Sequence, residues 1–363
     1  NAATATTTTG TATATEDVAT VAGLIDDLTV GGDATLNGTA SLTGTASATA
    51  VSSTATAQSG ASGSDAYGYQ ATDVSVGGDA GVTASATTSN TATANSTSGA
   101  ADADALLDEV FGLETTGTFA VSGDSTIDAD ASSTGAATAA TTSGAATADV
   151  DQADLSAIEG NSVSFNLDGD VNLDADASNQ QTATASTATG NATANTAAAD
   201  STRGIDTASF DIEGDVSQFS ADALLNGTST ADAVTGDALA NAGVGSETTG
   251  FENGDVTIAG DVTNANGLVA RAQTILRTDA EATTGDAQAA STGVTIKGAN
   301  EMDVDIAGNA GGMGLRGIAL GTLTANAESV NGDATGTTAS LDSDAIGFDA
   351  GNNGDIALSG NGN

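Results

Sequence analysis

One short signature, apolar–any–apolar–any–Gly–Asp or Asn, runs through this chain at nearly constant spacing and restricts its fold more than any other feature. It reads Leu28-Thr29-Val30-Gly31-Gly32-Asp33, Val74-Ser75-Val76-Gly77-Gly78-Asp79 and Phe119-Ala120-Val121-Ser122-Gly123-Asp124. It continues as Phe165-Asn166-Leu167-Asp168-Gly169-Asp170, Phe210-Asp211-Ile212-Glu213-Gly214-Asp215 and Val256-Thr257-Ile258-Ala259-Gly260-Asp261. Looser copies end at Asn309 and Asn361, so the last position of the signature falls at 33, 79, 124, 170, 215, 261, 309 and 361. A period in this range marks a repeat architecture in which each unit is one supersecondary element stacked on the next. The expectation is one continuous body over residues 1–363, all-β, a parallel β-solenoid of about eight 45-residue repeats.

Composition agrees with a thin, hydrogen-bonded body. Aromatic residues are 2% of the chain, too few for a large globular core, which leaves disorder or backbone ladders as the alternatives. A disordered chain would not keep an apolar i, i+2 signature in register through so many copies. Proline is absent, as suits strands whose every N–H has a neighbour to meet. Cysteine and histidine are absent too, which removes thiol and imidazole chemistry and disulfides. Five Lys and Arg against 48 Asp and Glu give a net charge of −43, which argues against nucleic acid or anionic lipid as partners. The expected partners are cations and further copies of the chain. No apolar run approaches the ~20 residues of a membrane span, so no membrane insertion is expected. The first residue is Asn1, consistent with a processed, exported chain at the cell surface or outside the cell.

Within each repeat the apolar residues alternate. Val74, Val76, Val82, Ala84 and Ala86 share one parity, Phe119, Val121, Ile127, Ala129 and Ala131 the next, and Phe165, Leu167, Leu173, Ala175 and Ala177 the third. A period of two predicts strands with one face inward. Val74, Phe119, Phe165, Phe210 and Val256 are then the expected core stack. The Gly-Asp pair is expected at a corner, with Gly taking positive φ and Asp capping local N–H groups. A weaker signature, Thr/Ala alternation ending in Gly, falls between the strong ones at Gly10, Gly60, Gly99, Gly144, Gly190, Gly236, Gly285 and Gly332. It suggests two coils of about 22 residues per repeat, with one large coil as the competing arrangement. Electrostatics favours two coils: carboxylates stacked ~4.8 Å apart would repel by roughly 1 kcal/mol per pair even in water, and intervening Ala61, Ala100, Ala145 and Asn191 would separate the early ones.

The two ends look like halves of one unit. Residues 1–27 form an N-terminal half-repeat, and 356–363 a C-terminal partial repeat. Coil completion between the C-terminus of one copy and the N-terminus of the next would build an open, head-to-tail filament. The junction would involve Asn1, Thr4, Thr6, Gly10, Ile356, Leu358, Gly360 and Asn361.

No catalytic constellation stands out, and the chain is expected not to be an enzyme. For metals, the pairs Asp102/Asp104, Asp128/Asp130, Asp168/Asp170 and Asp174/Asp176 offer hard oxygen ligands, and calcium is the ion they suit; no other cofactor is indicated. Thr-x-Thr recurs at Thr91/Thr93, Thr182/Thr184 and Thr228/Thr230, with Thr54 and Thr138 assigned to the same position.

The Gly-Asp periodicity resembles that of repetitive β-solenoid proteins of surfaces and extracellular spaces, namely filament proteins and adhesin stalks. That resemblance implies a non-enzymatic structural subunit of an extracellular filament. The alternative is an ice-binding or adhesive solenoid displayed as a monomeric stalk, for which the Thr-x-Thr face is the relevant feature.

Overall fold

A computed structural model describes residues 2–16, 21–60, 65–107, 109–152, 154–198, 201–264, 266–310, 315–338, 345–349 and 356–358. These are all-β, and the chain winds through three parallel sheets in turn. A wide sheet of eight strands is built from long segments such as Ala80–Ser98, Ser125–Ser143 and Val171–Thr189. A narrow sheet of eight follows it, with strands such as Ala101–Leu107 and Ala146–Gln152. A bent sheet of ten closes each coil, with strands such as Leu155–Leu167 and Ser201–Ile212.

Register decides the size of a coil. Ser125 pairs with Ala80 on one side and Val171 on the other, 45 and 46 residues away. Ala146 pairs with Ala101 and Ala192 at the same offsets. One coil therefore consumes one whole repeat, and the expectation of two coils of about 22 residues is overturned. The weak signature is the second corner of the same coil, where the wide sheet passes into the narrow one.

The electrostatic reason offered for two coils fails as well, because the carboxylates do stack on adjacent coils. Each of them accepts a backbone hydrogen bond from the next. Asp79 N–H donates to Asp33 Oδ1 at 3.1 Å, Asp124 to Asp79 at 3.0 Å, Asp170 to Asp124 at 3.0 Å and Asp215 to Asp170 at 2.9 Å. Asp261 and Asn309 extend the series at 2.7 and 2.6 Å. A charge-assisted bond of this kind contributes roughly 1.5–3 kcal/mol, more than the screened repulsion between exposed neighbours. The later second corners repeat the device through Asn191, Asp237, Asp286 and Asp333.

The glycines of the two corners have different reasons. At the Gly-Asp corner none of the described glycines takes a left-handed φ, contrary to the expectation. The requirement there is close approach: a Cβ on Gly123 would lie 2.6 Å from the carbonyl carbon of Gly78, and one on Gly169 would lie 2.6 Å from Asp124 N. At the second corner both constraints hold, since Gly144 and Gly190 have φ of 130° and stack on Gly99 and Gly144. In the first full coil that position is Ser53, against which Gly99 stacks, while Gly60 lies beyond the narrow-sheet strand Ala55–Ser59.

Inward side chains form two chambers. Between the wide and bent sheets, Val74, Phe119, Phe165, Phe210 and Val256 stack in register and are fully buried. Phe119 and Phe165 have ring centroids 5.2 Å apart, Phe165 and Phe210 4.7 Å, and Phe219 meets Phe210 edge-on. Between the wide and narrow sheets the lining is almost all alanine, as at Ala94, Ala103, Ala139, Ala148 and Ala185. A buried seam separates the chambers. It is polar where Thr88 donates to Ser133 at 3.0 Å, Thr248 bonds Thr274 at 2.8 Å and Thr196 bonds Ser229 at 3.0 Å, and apolar towards the last coils at Leu225, Leu276, Val294 and Ile296. The bent sheet approaches the wide one where Gly68 and Gly112 lie against the backbone of Ser85 and Asp130, and it turns sharply at Thr207, Asn253 and Glu301, all left-handed at φ of 50–51°.

Candidate functional site

Parallel pairing, shifted only locally as at Val171/Asn172 and Glu159/Val163, converts each sequence position into a row running along the solenoid axis, so any chemistry this chain presents outward is presented in rows. Four of the acidic residues singled out from sequence meet on the outer face of the wide sheet. Asp128 pairs with Asp174 and Asp130 with Asp176, and Asp222 continues the second row. Loss of water between the rows, then repulsion from Asp174 and Asp222 and from Asp130, pushes the Asp176 carboxyl up to about 6. Asp130 and Asp174 are raised for the same leading reason.

Asp102 and Asp104 lie elsewhere, on the narrow sheet, where Asp104 pairs with Asp149. Burial, and after it Asp102, Asp149 and Asp151, raises Asp104 to about 6. Asp149 is also raised by burial, an effect opposed by the Nδ2 donor of Asn195 at 2.7 Å. Asp168 and Asp170 belong to neither group. Asp170 is a rung of the corner ladder, with Oδ1 occupied by the N–H of Asp215. Among the described residues no three acidic side chains converge as a metal ion would require. The acidic rows are thus pairs and ladders along the axis, and Asp222 Oδ1 is buried without a hydrogen-bond partner among the described residues.

One charged constellation was not anticipated from sequence. On the outer side of the bent sheet, Glu114, Glu159, Asp206, Glu252 and Asn300 form a single row just before the left-handed turn. Arg203 is held among them, with Nη1 at 3.2 Å from Asp206 and 3.6 Å from Asp154, and Nε on Glu252. Lys297 meets Glu247 at 3.7 Å, and Asn300 Nδ2 donates to Glu252 at 3.3 Å. Burial, with Asp206 alongside, pushes Glu159 up to about 8. The signal was present as acidic residues one repeat apart, but it became readable only once a coil was known to equal a repeat.

The ends of the sheets carry the junction residues. Thr4 and Thr6 are on the first strand, Ala2–Thr7, which pairs only with the last part of Ala34–Ala50. Gly10 is at a corner with φ of 102°. Ile356 and Leu358 are on Ile356–Leu358, paired to Thr295–Ile306. Asn1, Gly360 and Asn361 fall outside the described residues. In the opposite direction Leu315–Asn331 and Ala334–Thr338 have partners on one side only among the described residues, and Ala334–Thr338 is exposed throughout.

The Thr-x-Thr positions also form rows on the wide sheet. Thr45 and Thr91 lie in one row with Thr182 and Thr228, broken by Ala136 and followed by Arg277. The adjacent row holds Ser47, Thr93, Thr138, Thr184 and Thr230 before Asp279. Thr54 is not a member, because Ser47 occupies its place and Thr54 sits past the corner. No protein-family model, curated protein or solved structure matches this chain, so its functional reading rests on the geometry above.

Proposed function

We propose that this chain is a non-enzymatic structural subunit that stacks end to end into an extracellular filament. The observation that carries the reading is the likeness of the two end faces. One inward row of the wide sheet is alanine from Ala5 to Ala327, and the row beside it begins at Ala3 and finishes at Ala325, with Ser229 and Thr278 between. The narrow-sheet row begins at Ala12 and finishes at Ala334. A second copy set on the last coil would continue the same rows, and its backbone would meet unpaired N–H and C=O groups that otherwise await an edge-to-edge partner. Stacking in one sense along one axis gives an open fibre instead of a closed ring. With only five Lys and Arg, such a fibre also offers few sites to trypsin-like proteases outside a cell.

Deletion of residues 1–15 tests this reading. It removes the first wide-sheet strand and nearly all of the first narrow-sheet strand, and fibres seen by electron microscopy should disappear while the circular dichroism stays that of β-structure. Fibres of unchanged length would overturn end-to-end stacking.

The Thr rows favour a second reading, ice binding. Hydroxyls ~4.8 Å apart along the axis and ~6.7 Å apart along each strand make a regular lattice, densest on Ala34–Ala50 and Ala80–Ser98. Thermal hysteresis in the purified protein, lost in Thr91→Lys/Thr93→Lys, is its test.

A further inference from the structure

The outer face of the wide sheet changes character along the axis. Its early strands present Thr, Ser and Asn, its middle strands Asp128, Asp130, Asp174 and Asp176, and its last strands apolar and basic residues followed by Asp279, Glu281 and Glu328. Of the five basic residues in a chain of net charge −43, Arg203 and Lys297 are paired on the bent sheet. The other three, Arg271, Arg277 and Arg316, all take outward positions on Leu268–Thr284 and Leu315–Asn331 and make no ion pair among the described residues. Leu224, Ile275 and Leu320 stand outward between them, Leu320 at 45% exposure. Arg271 donates to Gln273 at 3.1 Å and lies beside Asp222. Apolar side chains with these cations, on a face whose neighbouring strands carry acidic rows, describe half of a self-complementary contact.

We propose that two copies of the chain pair laterally through this face, antiparallel, about a two-fold axis parallel to the strands and passing over Val216–Thr235. Such an axis keeps each residue's position along the strand and exchanges the strands on either side. It carries Val171–Thr189 onto Leu268–Thr284 and Ser125–Ser143 onto Leu315–Asn331. Asp176 and Arg271 share one row, and Asp128 and Arg316 the row beside it. The operation therefore sets Asp176 against the copy's Arg271 and Asp128 against its Arg316. Asp174 and Asp130 fall opposite Val269 and Ile318, flanked by those arginines. Leu224 meets its own copy at the axis, and so does Asp222, whose two carboxylates are flanked by the Arg271 of both copies; Thr182 meets Arg277. The row of Asp232, Glu281 and Glu328, in which Asp232 would meet its own copy, lies outside the contact. Five strands by five outward rows cover about 24 by 33 Å, or about 800 Å² per partner, the size of an ordinary specific interface. Isologous contacts of this kind are the commonest form of protein self-association.

The test uses the full chain, which has no cysteine of its own. Leu224→Cys places a thiol at the axis, and Thr87→Cys places one in the same row on Ala80–Ser98, a strand the operation leaves without a counterpart. A short bismaleimide should link Leu224→Cys into dimers at least tenfold faster than Thr87→Cys, whether or not fibres are present, so this readout is separate from end-to-end stacking. In the Leu224→Cys background, Arg316→Asp or Asp128→Arg alone should slow linking about tenfold, and the two together should restore it. Equal rates for the two cysteines would overturn the contact. Fast linking at Leu224→Cys without charge-swap rescue would overturn the proposed register.

Discussion

The two chambers of the solenoid share one backbone ladder but hold together differently. In the aromatic chamber Phe119, Phe165 and Phe210 stack along the axis and fill a wide gap between sheets. Each such side chain contributes roughly 1.5–3 kcal/mol by burial. In the alanine chamber each residue adds one methyl, about 0.8 kcal/mol, and the alanines are buried. The contrast shows that a solenoid of low hydrophobic content can be built by giving one side of each coil a packed core. The other side then depends on short side chains, continuous hydrogen bonds and corner ladders. The aromatic side should be sensitive to deletion of volume, and the alanine side to its addition.

Substitutions separate the two regimes. The largest effect is expected for Phe165→Ala, about 3–5 kcal/mol from lost burial and a cavity, with Phe165→Asp worse; thermal unfolding followed by circular dichroism measures it. Unaltered melting of both variants would contradict an inward aromatic stack. Next is Ala94→Leu, between Ala48 and Ala139 in the alanine chamber, where overpacking should cost about 1–3 kcal/mol. By contrast Ile127→Leu in the other chamber should cost less than about 1.5 kcal/mol; equal tolerance at both sites would erase the distinction. Smaller still is the corner ladder. Asp124→Ala should lose about 1 kcal/mol, while Asp124→Asn should be close to neutral, because Asn191 and Asn309 already serve as natural rungs.

The last expected effect, read without any substitution, is a slope with pH. Asp104 and Asp176 are raised to about 6 and Glu159 to about 8. Raised carboxyls bind more protons in the folded chain than in the unfolded one, so stability falls as pH rises from the ordinary carboxylate range, about 4, through about 8. The penalty is complete above pH 8 and relieved below pH 4. The melting temperature should therefore increase on acidification from pH 8 to pH 5, and Glu159→Gln should flatten the upper part of that slope. A melting temperature that falls on acidification would contradict it.

Much of this was legible because a solenoid repeats its instructions. The alternation around Phe119 and Ile127 marked inward faces, and the recurrence of Gly123-Asp124 marked a corner. What stayed hidden was the partner of each strand. Thr/Ala alternation has the same period whether a strand pairs with one half a repeat away or a whole repeat away, so Gly99 and Gly144 looked like the corners of a second coil. Repulsion between Asp79 and Asp124 could not be weighed without the N–H that bridges them. Ser53 broke the glycine pattern and Gly60 imitated it. The Arg203 cluster was hidden for the same reason, since Glu159, Asp206 and Glu252 become neighbours only under whole-repeat register.

Cryo-electron microscopy of the native assembly tests the central claim most directly. One coil per repeat, the eight strands of the wide sheet among the described residues at ~4.8 Å spacing and the proposed end-to-end stacking predict unbranched fibres with a subunit repeat near 38 Å along the axis. Discrete rods of that length would contradict the filament, and a repeat near 75 Å would contradict the coil.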